Sequence, residues 1–95
     1  MTNSPELTVK HNPQAGRFEV EKDGHLAVLE YHLVDGKIIF THTGVPKAVS
    51  GQGIGSRLAV AGLDHARARS LAVVPLFSFI ADFLQKHPEY QDLAK

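Results

Sequence analysis

The chain of 95 residues contains no cysteine. That absence removes disulfides, zinc–thiolate sites and a cysteine nucleophile together. It also lacks a charge of one sign: ten basic and ten acidic residues cancel, and the pI is near 7.0. A nucleic-acid binder ordinarily carries a clustered basic face, and no such cluster occurs, so nucleic acid is not an expected partner. No run approaches the ~20 apolar residues of a membrane span, and Met1 to Lys10 lacks the apolar stretch of a signal peptide. The expectation is a cytoplasmic protein that does not engage a membrane. Internal repeats and low-complexity segments are absent as well. What remains is ordinary globular composition, 43% hydrophobic and 21% charged, in a chain short enough for one domain.

Residues 1–6 are polar and include Pro5, which reads as a flexible tail before a single domain over 7–95. Leu7 to Lys10 suits a short first strand. Asn12-Pro13-Gln14-Ala15-Gly16 is turn chemistry, and Arg17 to Glu21 alternates strictly, with Phe18 and Val20 on one face. Asp23-Gly24 and Asp35-Gly36 are two-residue hairpin signals on either side of Leu26 to Val34. That segment is apolar on both faces apart from Glu30 and His32, the pattern of a central strand covered on both sides. Ile38 to Thr43, rich in β-branched and aromatic residues, predicts a further strand.

After Val45-Pro46 the period changes. From about Gly53 to Arg69 it is helical, with Ile54, Leu58, Ala61 and His65 on one face and Arg57, Asp64 and Arg67 on the wet one. Leu71 to Val74 reads as a short buried strand, parallel to the preceding one through a helical crossover. Phe77 to Lys86 predicts a second helix burying Ile80, Phe83 and Leu84, with Asp82 and Lys86 spaced to pair; Pro88 stops it. The fold class is therefore α/β, of the α+β type: a mixed, mostly antiparallel sheet with two main helices packed on it.

The chemistry-bearing segment is Ser50-Gly51-Gln52-Gly53-Ile54-Gly55, between a strand and a helix. Glycines there turn the backbone tightly and leave N–H groups uncovered at the positive end of a helix dipole, an arrangement suited to phosphate. The same glycines also suit a turn that only steers the chain into the helix. The segment is neither a Walker loop nor a dinucleotide fingerprint, because both spacings are wrong.

Val45-Pro46, a few polar residues and then Gly51-Gln52-Gly53-Ile54-Gly55-Ser56-Arg57-Leu58 resemble the acetyl-CoA-binding motif of the GNAT N-acetyltransferases. From Val9 to Leu93 the chain is similar to a minimal, single-domain GNAT-like subfamily. Arg17-Phe18, Glu30-Tyr31, His42-Thr43-x-Val45-Pro46, Val74-Pro75-Leu76 and His87-Pro88-Glu89-Tyr90 carry that resemblance. It implies a strand, Ile38 to Val45, splayed from its neighbour Leu71 to Pro75, with the pantetheine arm of acetyl-CoA in the gap. Val45 backbone groups would pair with pantetheine. Ser50, Gly51, Gln52, Gly53, Ile54, Gly55, Ser56 and Arg57 would hold the pyrophosphate, with Lys47 near by. It further implies transfer of acetyl to an unidentified amine by direct attack on the thioester. The alternative is a CoA- or acetyl-CoA-binding module without efficient turnover, a sensor or partner protein. Three departures bear on that choice: Ser50 where such loops open with arginine or glutamine, Gly44 where the subfamily carries glutamate, and Phe77 where it carries cysteine.

His42 is the best remaining general base, since an imidazole titrates near neutral pH and the residue lies near the end of the strand facing the thioester. Glu30 is a weaker candidate, and Ser78 suits a helix cap better than an acid. Phe77, Phe79 and Phe83 read as core, with Phe77 also placed to close an acyl pocket; His87 and Tyr90 read as anchors of the C-terminal turn. His25 and His32 stand seven apart on one strand and face opposite sides, and no His-x-x-x-His occurs, so no metal is expected. A chain this short leaves the acceptor side open, or completed by a partner protein or a second subunit.

Overall fold

The computed structural model describes residues 8–76 and 78–94. The expected tail over residues 1–6, Leu7 and Phe77 lie outside the described residues, as does the side chain of Ser78. Five strands form one sheet in the order of the chain: β1 (Lys10–Asn12), β2 (Arg17–Lys22), β3 (His25–Val34), β4 (Lys37–Gly44) and β5 (Ala72–Pro75). The first four run antiparallel, and β5 joins β4 in parallel. Two helices follow β4, α1 (Ile54–Ala68) and α2 (Ser78–Lys86), and a 3-10 segment over Pro88–Leu93 closes the chain. This is the expected mixed, mostly antiparallel α/β layer.

The two hairpins close at Asp23-Gly24 and Asp35-Gly36 with registers Lys22↔His25 and Val34↔Lys37. Both aspartates take positive φ, as primed turns require. The first strand begins later than its apolar pattern suggests, because β1 takes its register from β2 across the Pro13–Gly16 turn, pairing His11 with Phe18.

One face of the sheet is covered. Phe18, Val20, Ala27, Leu29, Tyr31, Ile38, Phe40 and Val73 meet the helices there in a single core. β3 is central, but it is not covered on both sides as its composition suggests: Leu26 and Val34, which point away from the buried face, are exposed. Both helices come after β4 and add to that single core, so none covers the other face.

The buried face of α1 also differs from the expected stripe. Ile54, Leu58, Ala59, Gly62, Leu63 and Ala66 are buried, whereas Ala61 and His65 are only half-buried. The stripe is centred on Gly62, which an apolar count overlooks because it has no side chain. α2 buries Ile80, Phe83 and Leu84 as expected. Asp82 and Lys86 are both exposed and not among the ion pairs of the described residues, which are Arg17–Glu19, Arg67–Asp92 and His87–Glu89.

The tail is clasped to α1. Arg67 donates to both carboxylate oxygens of Asp92 (3.1 and 3.0 Å) and to the carbonyl of Glu89 (2.6 Å), while Tyr90 Oη donates to Asp64 (2.8 Å). The His87 ring stacks on Phe83 at 3.9 Å. His87 thus anchors the C-terminal turn on α2, and Tyr90 anchors it on the C-terminal half of α1. Among the described residues no helix is long and apolar enough to cross a membrane.

Candidate functional site

The site is built where β4 outruns β5. Their parallel register covers Lys37↔Ala72 through Phe40↔Pro75 and then stops, while β4 continues to Gly44. From Thr41 onward β4 is paired, among the described residues, with β3 on one side only, so its other edge faces a gap there with free backbone groups. A β-bulge between Glu30/Tyr31 and the opposing strand sits at the mouth of this gap: Tyr31 pairs with Phe40, and Glu30 with His42. The extra residue, Thr41, reverses which face each later side chain takes. Thr43 pairs with fully buried Leu29 and so lies on the helix-covered face. His42 lies with Glu30 and Gly44 on the open face. A Cβ at Gly44 would stand 3.2 Å from His42 Nε2, so the imidazole rests over that glycine.

From β4 the chain passes Val45 and Pro46 into a 3-10 turn over Lys47–Val49, then through the glycine loop into α1. Val49 and Ile54, 1% and 2% exposed, pin the loop to the core at each end. Between them Ser50, Gly51, Gln52 and Gly53 are exposed. Gly51 and Gly53 have φ of 79° and 76°, a left-handed backbone that side chains with a Cβ rarely adopt. Gly53 is the N-cap of α1, and no side chain caps the helix there. The first intrahelical bond runs from the Arg57 N–H to the Gly53 carbonyl (3.0 Å), which leaves the earlier N–H groups of the first turn for solvent or an anion.

Gly55 serves helix packing instead. A Cβ there would meet Phe79 Cζ at 3.2 Å, so this glycine lets α1 sit against α2. Ser50 is turned inward on its own loop. Its hydroxyl donates to the Lys47 carbonyl (2.9 Å), which stiffens the 3-10 turn. Gln52, Ser56, Arg57 and Lys47 are exposed on the loop's flanks. Beside the first turn of α1 lies a groove lined by Ser56, Phe79, Asp82, Phe83, Lys86 and His87. The loop, the first turn of α1 and the end of β4 are thus brought together as the residue pattern suggests, while His25 and His32 are exposed and apart from them. Among the described residues no group of three histidines or carboxylates is placed to hold a metal. Val49, Thr43 and Phe79 were not singled out by the sequence for this site. An isolated valine in a polar loop is a signal for the first; nothing in the pattern marks the other two.

A second cluster of titratable groups lies near the far end of α1. His11 stacks on Phe18 (4.3 Å between centroids), meets His65 edge-on (4.5 Å) and shares a hydrogen bond through Nε2 with Tyr31 Oη. Desolvation, helped by the Arg69 charge, lowers the His11 pKa. Desolvation likewise lowers that of His65, with further contributions from His11 and Arg69, and burial raises that of Tyr31. Both histidines are therefore more readily protonated in the unfolded chain than in the fold. Their stabilising contribution is complete above the ordinary value of 6.5 and is lost as pH falls below it. Thermal melts should show Tm steady between about pH 8 and 7 and falling below about 6.5. The fall should be shallower in His65→Leu; an unchanged slope there would assign the pH dependence to other groups.

The chain is similar to known proteins over most of its length. The profile of the GCN5-related N-acetyltransferases matches residues 17–93. The chain belongs to this family. It is similar to Protein NATD1 of Mus musculus, 33% identical over 92 residues that cover 94% of this chain and 84% of that one. It is also similar to Protein NATD1 of Homo sapiens, 32% identical over 94% of this chain and 81% of the other. The solution NMR structure of a GCN5-like putative N-acetyltransferase from Staphylococcus aureus superposes with a TM-score of 0.74 at 34% identity. That match covers 94% of this chain and 88% of the other.

Proposed function

We propose that the protein is an acetyl-CoA-dependent N-acetyltransferase acting on an amine. The observation that carries this reading is the continuation of β4 past the end of its pairing with β5, directly into a left-handed glycine loop at an uncapped helix start. An extended amide-bearing chain laid along Thr41 to Val45 would supply the missing strand. A pyrophosphate at its end would meet the N–H groups of Gly51 to Gly55 and the helix dipole, with the exposed Arg57 and Lys47 near by. The glycine cradle and the free strand edge fit both parts of acetyl-CoA.

In the reaction the amine nitrogen would attack the thioester carbonyl, the carbon–sulfur bond would break with its electron pair leaving on sulfur as CoA thiolate, and the amine's surplus proton would pass to His42 and on to the thiolate or solvent. A backbone N–H of the unpaired β4 edge would meet the charge developing on the carbonyl oxygen. His42 stands at that edge on the open face of the sheet, from which an acceptor can approach without crossing the helices. On this reading the acceptor side would be left open, or completed by a partner protein or second subunit, and the reaction would be cytoplasmic.

Gly44 favours a second reading, a CoA-binding module with little turnover. No carboxylate stands on that position beside His42 to hold its ring or share its proton. Release of free CoA from acetyl-CoA in the presence of a panel of amines separates the two. Turnover above the protein-free rate is expected, with His42→Ala lowering it by roughly 10²–10⁴-fold. Tight binding with no CoA release leaves the module.

A further inference from the structure

We propose that the Thr43 hydroxyl binds the acyl-pantetheine arm, donating a hydrogen bond to an amide carbonyl of that arm. The proposal rests on the acetyl-CoA reading above and assigns a side chain to a part of the site otherwise built from backbone. Thr43 Oγ1 is buried and has no hydrogen-bond partner among the described residues. A hydroxyl in that state costs stability that a methyl group would not, so an orphan of this kind calls for a physical cause.

The other hydroxyls along this stretch are satisfied. Thr41 Oγ1 donates to the Glu30 carbonyl (3.4 Å), and Ser50 Oγ donates to Lys47. Thr43 differs in its place. It follows the bulge, so its side chain stands on the helix-covered face, and it belongs to the part of β4 whose far edge lacks a strand. The residue as a whole remains half-buried rather than enclosed. A turn of about 120° about its Cα–Cβ bond moves Oγ1 from one staggered position to the next, so the hydroxyl can adjust to a ligand laid along the strand.

An extended arm laid along Thr41 to Val45 would carry its amide groups past Thr43. A carbonyl acceptor satisfies the hydroxyl proton, removing the orphan only when the ligand is present. The contact belongs to binding and serves CoA and acetyl-CoA equally.

The test measures affinity for CoA and for acetyl-CoA by titration calorimetry, together with the melting temperature of the free protein. Thr43→Val keeps the shape of the side chain and removes the hydroxyl. It should weaken both ligands about tenfold while raising the Tm of the free protein by a few degrees. Thr43→Ser should stay within about twofold of the parent for both ligands. Undiminished affinity in Thr43→Val overturns the proposal, and so does a lower Tm of that free variant, which would give the hydroxyl an internal partner. Weaker binding of acetyl-CoA alone would move the contact to the thioester and overturn the amide assignment. If the parent protein binds neither ligand, the acetyl-CoA reading itself falls, an outcome distinct from equal binding by parent and variant.

Discussion

Acetyl-CoA at about a hundredfold excess over its Kd should raise the melting temperature of the protein by roughly 10–20 °C, and Gly53→Val should abolish that rise. The first figure follows from mass action: a ligand that binds only the folded state at that excess contributes ~2.7 kcal/mol. In a domain of this size each kcal/mol moves Tm by about 4–8 °C. The second follows from the backbone. Gly53 sits at φ 76°, ψ 13°, where a β-branched residue is strongly disfavoured. Valine would either hold that conformation at a cost of about 1–3 kcal/mol or pull the loop out of it. In the first case its methyls stand over the α1 start, in space that nothing now occupies within 4 Å of the added Cβ. In the second the N–H groups no longer converge. Both outcomes would remove the proposed anion site.

Gly53→Asn separates the two effects, since asparagine tolerates the left-handed region. It should melt near the parent temperature yet still lose most of the acetyl-CoA shift, because its side chain would fill the place proposed for the phosphate. A full shift in Gly53→Val would mean that the glycine loop only steers the chain into α1.

Gly62 should give the largest loss of stability from a small substitution. Helix propensity alone favours alanine over glycine by about 1 kcal/mol inside a helix such as α1. Packing opposes it. A Cβ at Gly62 would come within 2.9 Å of Leu29 Cδ2 and of Phe40 Cε1, closer than side chains approach one another. Leu29 and Phe40 are fully buried, 0% exposed, so neither can retreat without displacing the rest of the core. Overpacking of this kind costs about 1–3 kcal/mol and outweighs the propensity gain. Gly62→Ala is therefore expected to lower Tm by several degrees, and Gly62→Val, with two further methyls, by roughly 15–20 °C. Denaturant melts of the two variants decide the matter. A rise in Tm for Gly62→Ala would show that α1 stands further from the sheet than the structure places it.

The backbone plan of this protein was legible in its residues because the signals are local. Alternation marks β2, Asp-Gly pairs mark both hairpins, and the change from a period of two to 3.6 after Pro46 marks the start of α1. Two aspartates with positive φ beside glycines are short-range chemistry, independent of what packs near them. The glycine loop was legible for the same reason, since its conformational demand lies within a few consecutive residues.

The remaining features depend on contacts between segments distant in the chain. Which face of α1 is buried was settled by Leu29 and Phe40 from the sheet, and these select Gly62, a residue that contributes nothing to an apolar count. β3 reads as covered on both sides, but both helices come late in the chain and pack into one core, so its other face meets solvent. The bulge opposite Glu30 is a matter of register between two strands. It alone sends His42 to the open face and Thr43 to the covered one. Composition, turns and period belong to the chain by itself; faces, register and orphaned groups exist only once two distant segments meet, and there the site acquires its chemistry.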